Sequence, residues 1–518
     1  MTASVRAAFV FVLCSACGPS DPGDGTATGT TTGGSTGGAT TGEGTPTTGD
    51  ETSGTTTTGT SGTGTAGETT GTTGEQGCDP AALTKIARAE LLTTIRDDVF
   101  SLPPGDGPFT RYLVLAHLRN AGLCDDEVLV HRAAVGKLLN SLSDRPVVVV
   151  PEPIGTDGLV LRIDRRDYGW DGPITGPGGM FPDTWALLVA NTPYAVEPIG
   201  EEAEEIKAAL GVAVPYLPSD AALAVLTLPP MYYDVLRLPD SRGALAAELE
   251  IDIAAKVAAE RMVDAGDVAR SGFHESSISE NHRIAERHVM PDAATRSLWL
   301  THDFNSNAGK SNFFVDPFDF EADAGGVMFT LRNGLYAYMY VDGAGKRVDE
   351  APVSIIQDPS MSDGIVRPGI SCIGCHSRGP IAVDDDLRWE IDNGQTEGNF
   401  PVDQVQEIRN LHPPREDFAE LVGLDIGYAT LALGAAGVPE DLVEEPIAAA
   451  FHGFHADVHF ERAAAELWLT PDELGEKLGQ LDPVLKDLLG PGLSRADFSE
   501  QFPVAVCALK IGLTDECP

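Results

Sequence analysis

Residues 372–376 read Cys372-Ile373-Gly374-Cys375-His376, two thiols and an imidazole within five positions. Thiols at this spacing can add across the two vinyl groups of one porphyrin, and the next residue can then present its imidazole to the iron. The pattern predicts one covalently attached haem c, with Cys372 and Cys375 as anchors and His376 as the proximal iron ligand. Gly374 is expected to keep the turn free of bulk under the ring. Other uses of a C-x-x-C pair lack their context here. A structural zinc site wants a second ligand pair at matching spacing, and residues 78–518 contain no second C-x-x-C. A thioredoxin-like redox pair opens a helix after a buried parallel strand, whereas Pro368 and Gly369 precede this motif. A disulfide between cysteines three apart is strained.

The stretch VRPGISCIGCHSRGP around the motif resembles the haem-attachment segment of large exported bacterial cytochrome c domain proteins. Upstream stretches are similar to that group as well: HLRNAGLCDDEVLVHRAAVGKLLNSLS, LRIDRRDYGW, NHRIAERH and LRNGLYAYMYVDGAGKRVDEAP. The resemblance implies haem binding and electron transfer, with a redox partner protein, and names no substrate. It also ranks the candidates for the second axial position. Small cytochromes c usually take a distal Met downstream of the motif, and no Met follows Met361. His288 ends the family-like NHRIAERH and is the first choice as distal iron ligand. His282, Met328, Met339, Met361 and His412 are the others. His452, His455 and His459 share a helix face, as a solvated surface or a metal site. An open iron is the remaining possibility. A distal Met raises the potential, a second His lowers it, and an open site permits ligand or peroxide chemistry.

These residues need elements to hold them. Helical spacing recurs over 80–100, 112–123, 125–142, 230–238 and 241–265. Alternation marks strands at 159–165, 327–331, 335–341 and 353–356, with turns at Asn333-Gly334 and Asp342-Gly343. After the motif the pattern is helical over 402–411, 415–423, 446–469, 470–478 and 495–502. The fold expected is α+β, mostly helical with β-hairpins in the middle and a helical haem-bearing C-terminal part. The divisions expected are 78–290, 291–360 and 361–518.

The start of the chain is an address. Residues 1–17 carry Arg6, a short apolar run and small residues before Cys17, the pattern of a secretory signal. Its end, Leu13-Cys14-Ser15-Ala16-Cys17, resembles the lipobox of bacterial lipoproteins, which implies lipidation at Cys17. Residues 18–77 are almost all Gly, Thr, Ser and Ala, a composition expected to stay a disordered linker. No run of 18 apolar residues follows, so membrane attachment is expected through the lipid anchor only. The expected location is the cell envelope.

The formal net charge is −43, and residues 1–77 hold only seven acidic and one basic side chain, so the body carries most of it. Such a field repels phosphate backbones, which argues against nucleic-acid binding. In an oxidising compartment Cys78 with Cys124 and Cys507 with Cys517 would close short loops as disulfides. No nucleotide-binding glycine loop or nucleophile elbow accompanies the motif. The expected function is electron transfer by a c-type haem protein. The alternative is a surface interaction or sensor protein with a structural or ligand-binding haem, or a peroxidase-like, haem-dependent oxidoreductase.

Overall fold

The computed structural model describes residues 78–517. Six strands lie in the first part: β1 (Thr110–Val114), β2 (Glu152–Ile154), β3 (Val160–Asp164), β4 (Ile174–Gly176), β5 (Gly179–Phe181) and β6 (Tyr216–Pro218). Four of them form a sheet in the order β2-β3-β1-β6, and β4 with β5 is a small hairpin. β1 is buried throughout, antiparallel to β3 and parallel to β6. The helix expected over 112–123 therefore starts only at Ala116. Pairing on both edges outweighs local helical spacing at Tyr112, Leu113 and Val114.

A six-stranded antiparallel sheet follows: β7 (Val268–Phe273), β8 (Arg283–Met290), β9 (Ala293–Asp303), β10 (Ala324–Thr330), β11 (Tyr336–Asp342) and β12 (Arg347–Val348). Its order is the reverse of the sequence, β12-β11-β10-β9-β8-β7. The registers set Ala269, Arg287, Trp299, Met328 and Tyr338 in one cross-strand row. Side chains alternate along a strand, so this row defines one face of the sheet. The helix Arg415–Ala435 packs on that face. Its Asp425 accepts from Arg287 at 2.9 and 2.8 Å, from Ser297 at 2.7 Å and from Trp299 at 2.8 Å. A buried carboxylate is tolerated there because charged and polar donors surround it.

Residues 353–356 form a turn, not a strand. Ile355 and Ile356 both bury against Ala324 and Tyr340, which removes the two-faced alternation a strand needs. One core runs from Leu91 through Tyr338 and Ile373 to Val506. From Asp79 onward the body is one compact unit, so the three expected divisions are parts of it. The architecture is α+β, with the later part helical. Among the described residues, Val402–Ala435 is the stretch long and apolar enough to cross a membrane by length and composition. Pro413 and Pro414 split it into two helices, and Asp425 ties the second to the sheet. Cys507 and Cys517 are joined by a disulfide, and Cys78 and Cys124 are each disulfide-bonded.

Candidate functional site

Residues 372–376 sit on one short helix, Ile370–Cys375, that ends at His376. Ile370 and Ile373 are three apart and buried, which anchors one face of the helix in the core. Its start is fixed from outside. The Ile370 N–H donates to the Thr227 carbonyl at 3.0 Å. Gly369, with φ +98°, passes so close that a Cβ there would lie 2.2 Å from the Thr227 oxygen. Gly374, the residue expected to need its bareness, has room. A Cβ there meets nothing nearer than Ala448 Cβ at 3.8 Å.

At the helix end the chain folds back. The His376 N–H donates to the Cys372 carbonyl at 2.8 Å, and the Gly379 N–H donates to the His376 carbonyl at 3.1 Å. The same carbonyl accepts from the Tyr338 hydroxyl at 3.3 Å, with the two rings stacked 6.1 Å apart. Gly379, at φ +108°, leaves only 3.1 Å between an added Cβ and the Tyr336 ring. This turn aims the imidazole. Nδ1 of His376 lies 3.1 Å from the Gly379 carbonyl, which can only accept, so Nδ1 carries the proton. Nε2 is left with its lone pair. Burial pushes the His376 pKa down to about 4, so the ring is neutral across the physiological range.

The imidazole lines a crevice with only about 10 Å³ of free volume, with Lys137, Tyr336, Tyr338, Ala429 and Leu433 among its walls. Lys137 and Glu445 form a buried ion pair at 2.8 Å, and the same ammonium donates to the Ser377 carbonyl at 3.0 Å. Two helices and the turn after His376 are thereby joined. The two cysteines differ. Cys372 is a free thiol, pushed up to about 12 by burial, among Tyr232, Tyr233, Tyr338 and Tyr340. Cys375 is disulfide-bonded. Cys17 and the rest of the address segment lie outside the described residues.

His288 is not brought to this site. It lies on β8 next to Arg287, and Arg287 belongs to the row that ends at Tyr338. Strand alternation turns His288 to the opposite face of the sheet. Its Nε2 is held 2.7 Å from Glu286, which also pairs with Arg270 at 2.6 Å. The structure thus holds His288, the expected distal ligand, against Glu286 on the face of the sheet away from Tyr338. Met339 shares that far face, whereas Met328 is cross-strand neighbour to Tyr338 on the near one. His412 is buried with Nδ1 2.7 Å from Asp385, whose Oδ1 accepts from β7 at Gly272. That is four strands from β11, about 19 Å. His452 and His455 are exposed on the helix Pro446–His455, and His459 caps the next.

Sequence spacing alone missed Lys137, Glu445 and Gly379. Gly379-Pro380 after the motif is a turn signal that pointed to the last. A cluster of Cys124, Asp126 and Glu127 is the one group of metal-ligand type with three close donors among the described residues. Cys124 is disulfide-bonded and Glu127 accepts from the Cys124 N–H, a helix cap and no thiolate site. Comparison with protein-family models, with curated proteins and with solved structures gave no match for this chain.

Proposed function

We propose that this chain is an exported c-type haem protein that transfers electrons in the cell envelope. Cys372 and Cys375 would hold the group through thioethers and His376 would supply one axial bond. The observation that carries the reading is the state of His376. A metal-binding histidine commonly donates its other ring N–H to a carbonyl, which sets the tautomer and makes the free nitrogen a better donor. His376 has that arrangement with Gly379, and it is neutral. The donor set fits the group. The free space beside it, about 10 Å³, holds no more than a water and is far below the roughly 300–1,000 Å³ of sites that enclose a whole ligand. A porphyrin would therefore need the motif helix and the turn after His376 to stand apart from their present packing.

When bound, the iron would supply a one-electron couple whose potential follows its axial ligands. The protein's own residues do the rest. Gly379 orients the imidazole and Tyr338 fixes the carbonyl behind it. Lys137 and Glu445 brace the turn at Ser377. Cys372 is a neutral, partly buried thiol packed against the core, so attachment belongs before this helix packs, with Cys375 reduced. Export with a lipid anchor at Cys17 completes the reading. The strongly negative body suits docking to a partner with a basic surface.

A second reading rests on the walls of the crevice. They include one further nitrogen donor of ligand type, Lys137, and its ammonium is already bonded to Glu445 and Ser377. An iron with an open sixth position would favour gas sensing or peroxide chemistry. The test is a denaturing gel stained for haem, with a pyridine haemochrome spectrum, on protein matured by an exporting host. Cys372→Ala and Cys375→Ala variants should each lose a thioether. Carbon monoxide binding by the reduced protein then separates the two readings, since only an open site takes it up at once.

A further inference from the structure

We propose that His274 and His282 form a second metal site, for an imidazole-seeking divalent cation of the zinc or copper type. The proposal does not depend on haem. The two histidines stand at the mouth of the β7–β8 hairpin. Phe273 pairs with Arg283, so His274 and His282 are the next cross-strand pair outward. Residues 275–281 loop between them, closed by a bridge between Ser276 and Ser279.

The nitrogens meet at a metal's spacing. Nδ1 of His274 lies 3.3 Å from Nε2 of His282. Metal–nitrogen bonds of about 2.1 Å at the tetrahedral angle place two ligand nitrogens about 3.4 Å apart. Behind the pair stands the carboxylate that such sites use. Glu390, on the helix Asp386–Asn393, holds Nε2 of His274 at 3.0 Å. A carboxylate only accepts, so Nε2 carries the proton and Nδ1 keeps its lone pair toward His282. Both rings are held from the side. Phe314 stacks on His274 at 3.9 Å and meets His282 edge-on at 4.8 Å. Backbone bonds fix the strand ends, from His274 N–H to Asp386 and from His282 N–H to Asn307.

Two polar atoms of this cluster are buried without a hydrogen-bond partner, Nδ1 of His282 and Oε2 of Glu390. Those residues are 7% and 8% exposed, so water does not satisfy them by default. Glu390, Glu397 and Asp386 lie around the pair and give the site a negative field. Imidazole nitrogens in such a field suit a late first-row divalent cation. With two protein nitrogens, water would fill the remaining positions. A cation here would clip the hairpin mouth and, through Glu390, tie it to the helix Asp386–Asn393.

The test uses the full chain, stripped with a chelator and titrated with Zn²⁺ against a chromophoric competitor at neutral pH. One site is expected. His274→Ala and His282→Ala should each weaken it at least 100-fold, and Glu390→Gln by about 10- to 100-fold, the range for an outer-shell partner. Either histidine variant binding as the wild type does would overturn the proposal. Because His282 is buried and its variant is liable to misfold, X-ray absorption on the zinc-loaded wild type is the second measurement. It should show two imidazoles and no sulfur. Sulfur in the shell would move the ion to Cys372 and overturn the assignment.

Discussion

Replacing Gly369 by Ala isolates the contact that seats the motif helix. Gly369 holds φ +98° and ψ −98°, a backbone state that costs an L-residue about 1–3 kcal/mol. An added Cβ would sit 2.2 Å from the Thr227 oxygen and 3.0 Å from the Tyr232 ring. The first distance is more than 1 Å inside ordinary contact of about 3.5 Å, so the backbone must retreat. Retreat strains the Ile370 N–H bond to Thr227, and an unmade buried N–H costs about 1–3 kcal/mol. Together these give roughly 4 kcal/mol. With unfolding entropy near 2.1 cal/mol/K per residue over about 440 described residues, that lowers Tm by about 4 °C. Gly374→Ala is the contrast. Its site is helical with nothing inside 3.8 Å, so Ala should stabilise by about 0.5–1 kcal/mol. Thermal melts of the haem-free exported protein, followed by circular dichroism, measure both. A Gly369→Ala protein that melts with the wild type, or a Gly374→Ala protein that falls further, would refute the reasoning.

Removing Asp425 alone, as Asp425→Ala, strands the buried Arg287 and should cost about 3–5 kcal/mol in urea unfolding. The pair Arg287→Met with Asp425→Leu should recover most of that loss, and no recovery would mean the pair is not the cause. Burial pushes His131 down to about 4, with Asp220 opposing, against an ordinary value near 6.5. Its unfolded form therefore binds the proton first, so stability is full above about pH 6.5 and falls as pH drops toward 4. A His131→Leu variant should flatten the urea midpoint across that window, and an unchanged slope counts against the assignment. The Cys372 thiol, pushed up to about 12 by burial, should resist iodoacetamide at pH 8 in the folded haem-free protein and react once urea is added. Rapid labelling without urea would contradict that raised pKa.

The candidate motif was legible because it is local. C-x-x-C-H needs only five consecutive positions, and the structure keeps them on one helical turn. The strands 327–331 and 335–341 were readable because β10 and β11 are short apolar and aromatic runs set off by turn residues, and they are buried on both faces. β8 was not. RIAERHVM carries Arg283, Glu286, Arg287 and His288 into a buried sheet, and their partners Asp303, Arg270 and Asp425 come from distant positions. Without those ion pairs in view the stretch looks like a polar surface segment. His288 was put forward because it ends the family-like stretch NHRIAERH, with Glu286 beside it not yet in view. A second glycine went unremarked for a related reason. Gly374 is inside the motif, but the crowding falls on Gly369, against Thr227 more than a hundred positions earlier. His274 and His282 were invisible as a pair until the hairpin register set them opposite one another.

The most direct measurement is the mass and spectrum of the full chain purified from a host that exports and matures haem proteins. The account predicts a gain of one haem that survives denaturation, with the pyridine spectrum of a porphyrin linked through two thioethers, and a loss of native axial ligation in His376→Ala. A protein whose mass carries no haem, or whose pigment washes away on unfolding, contradicts it.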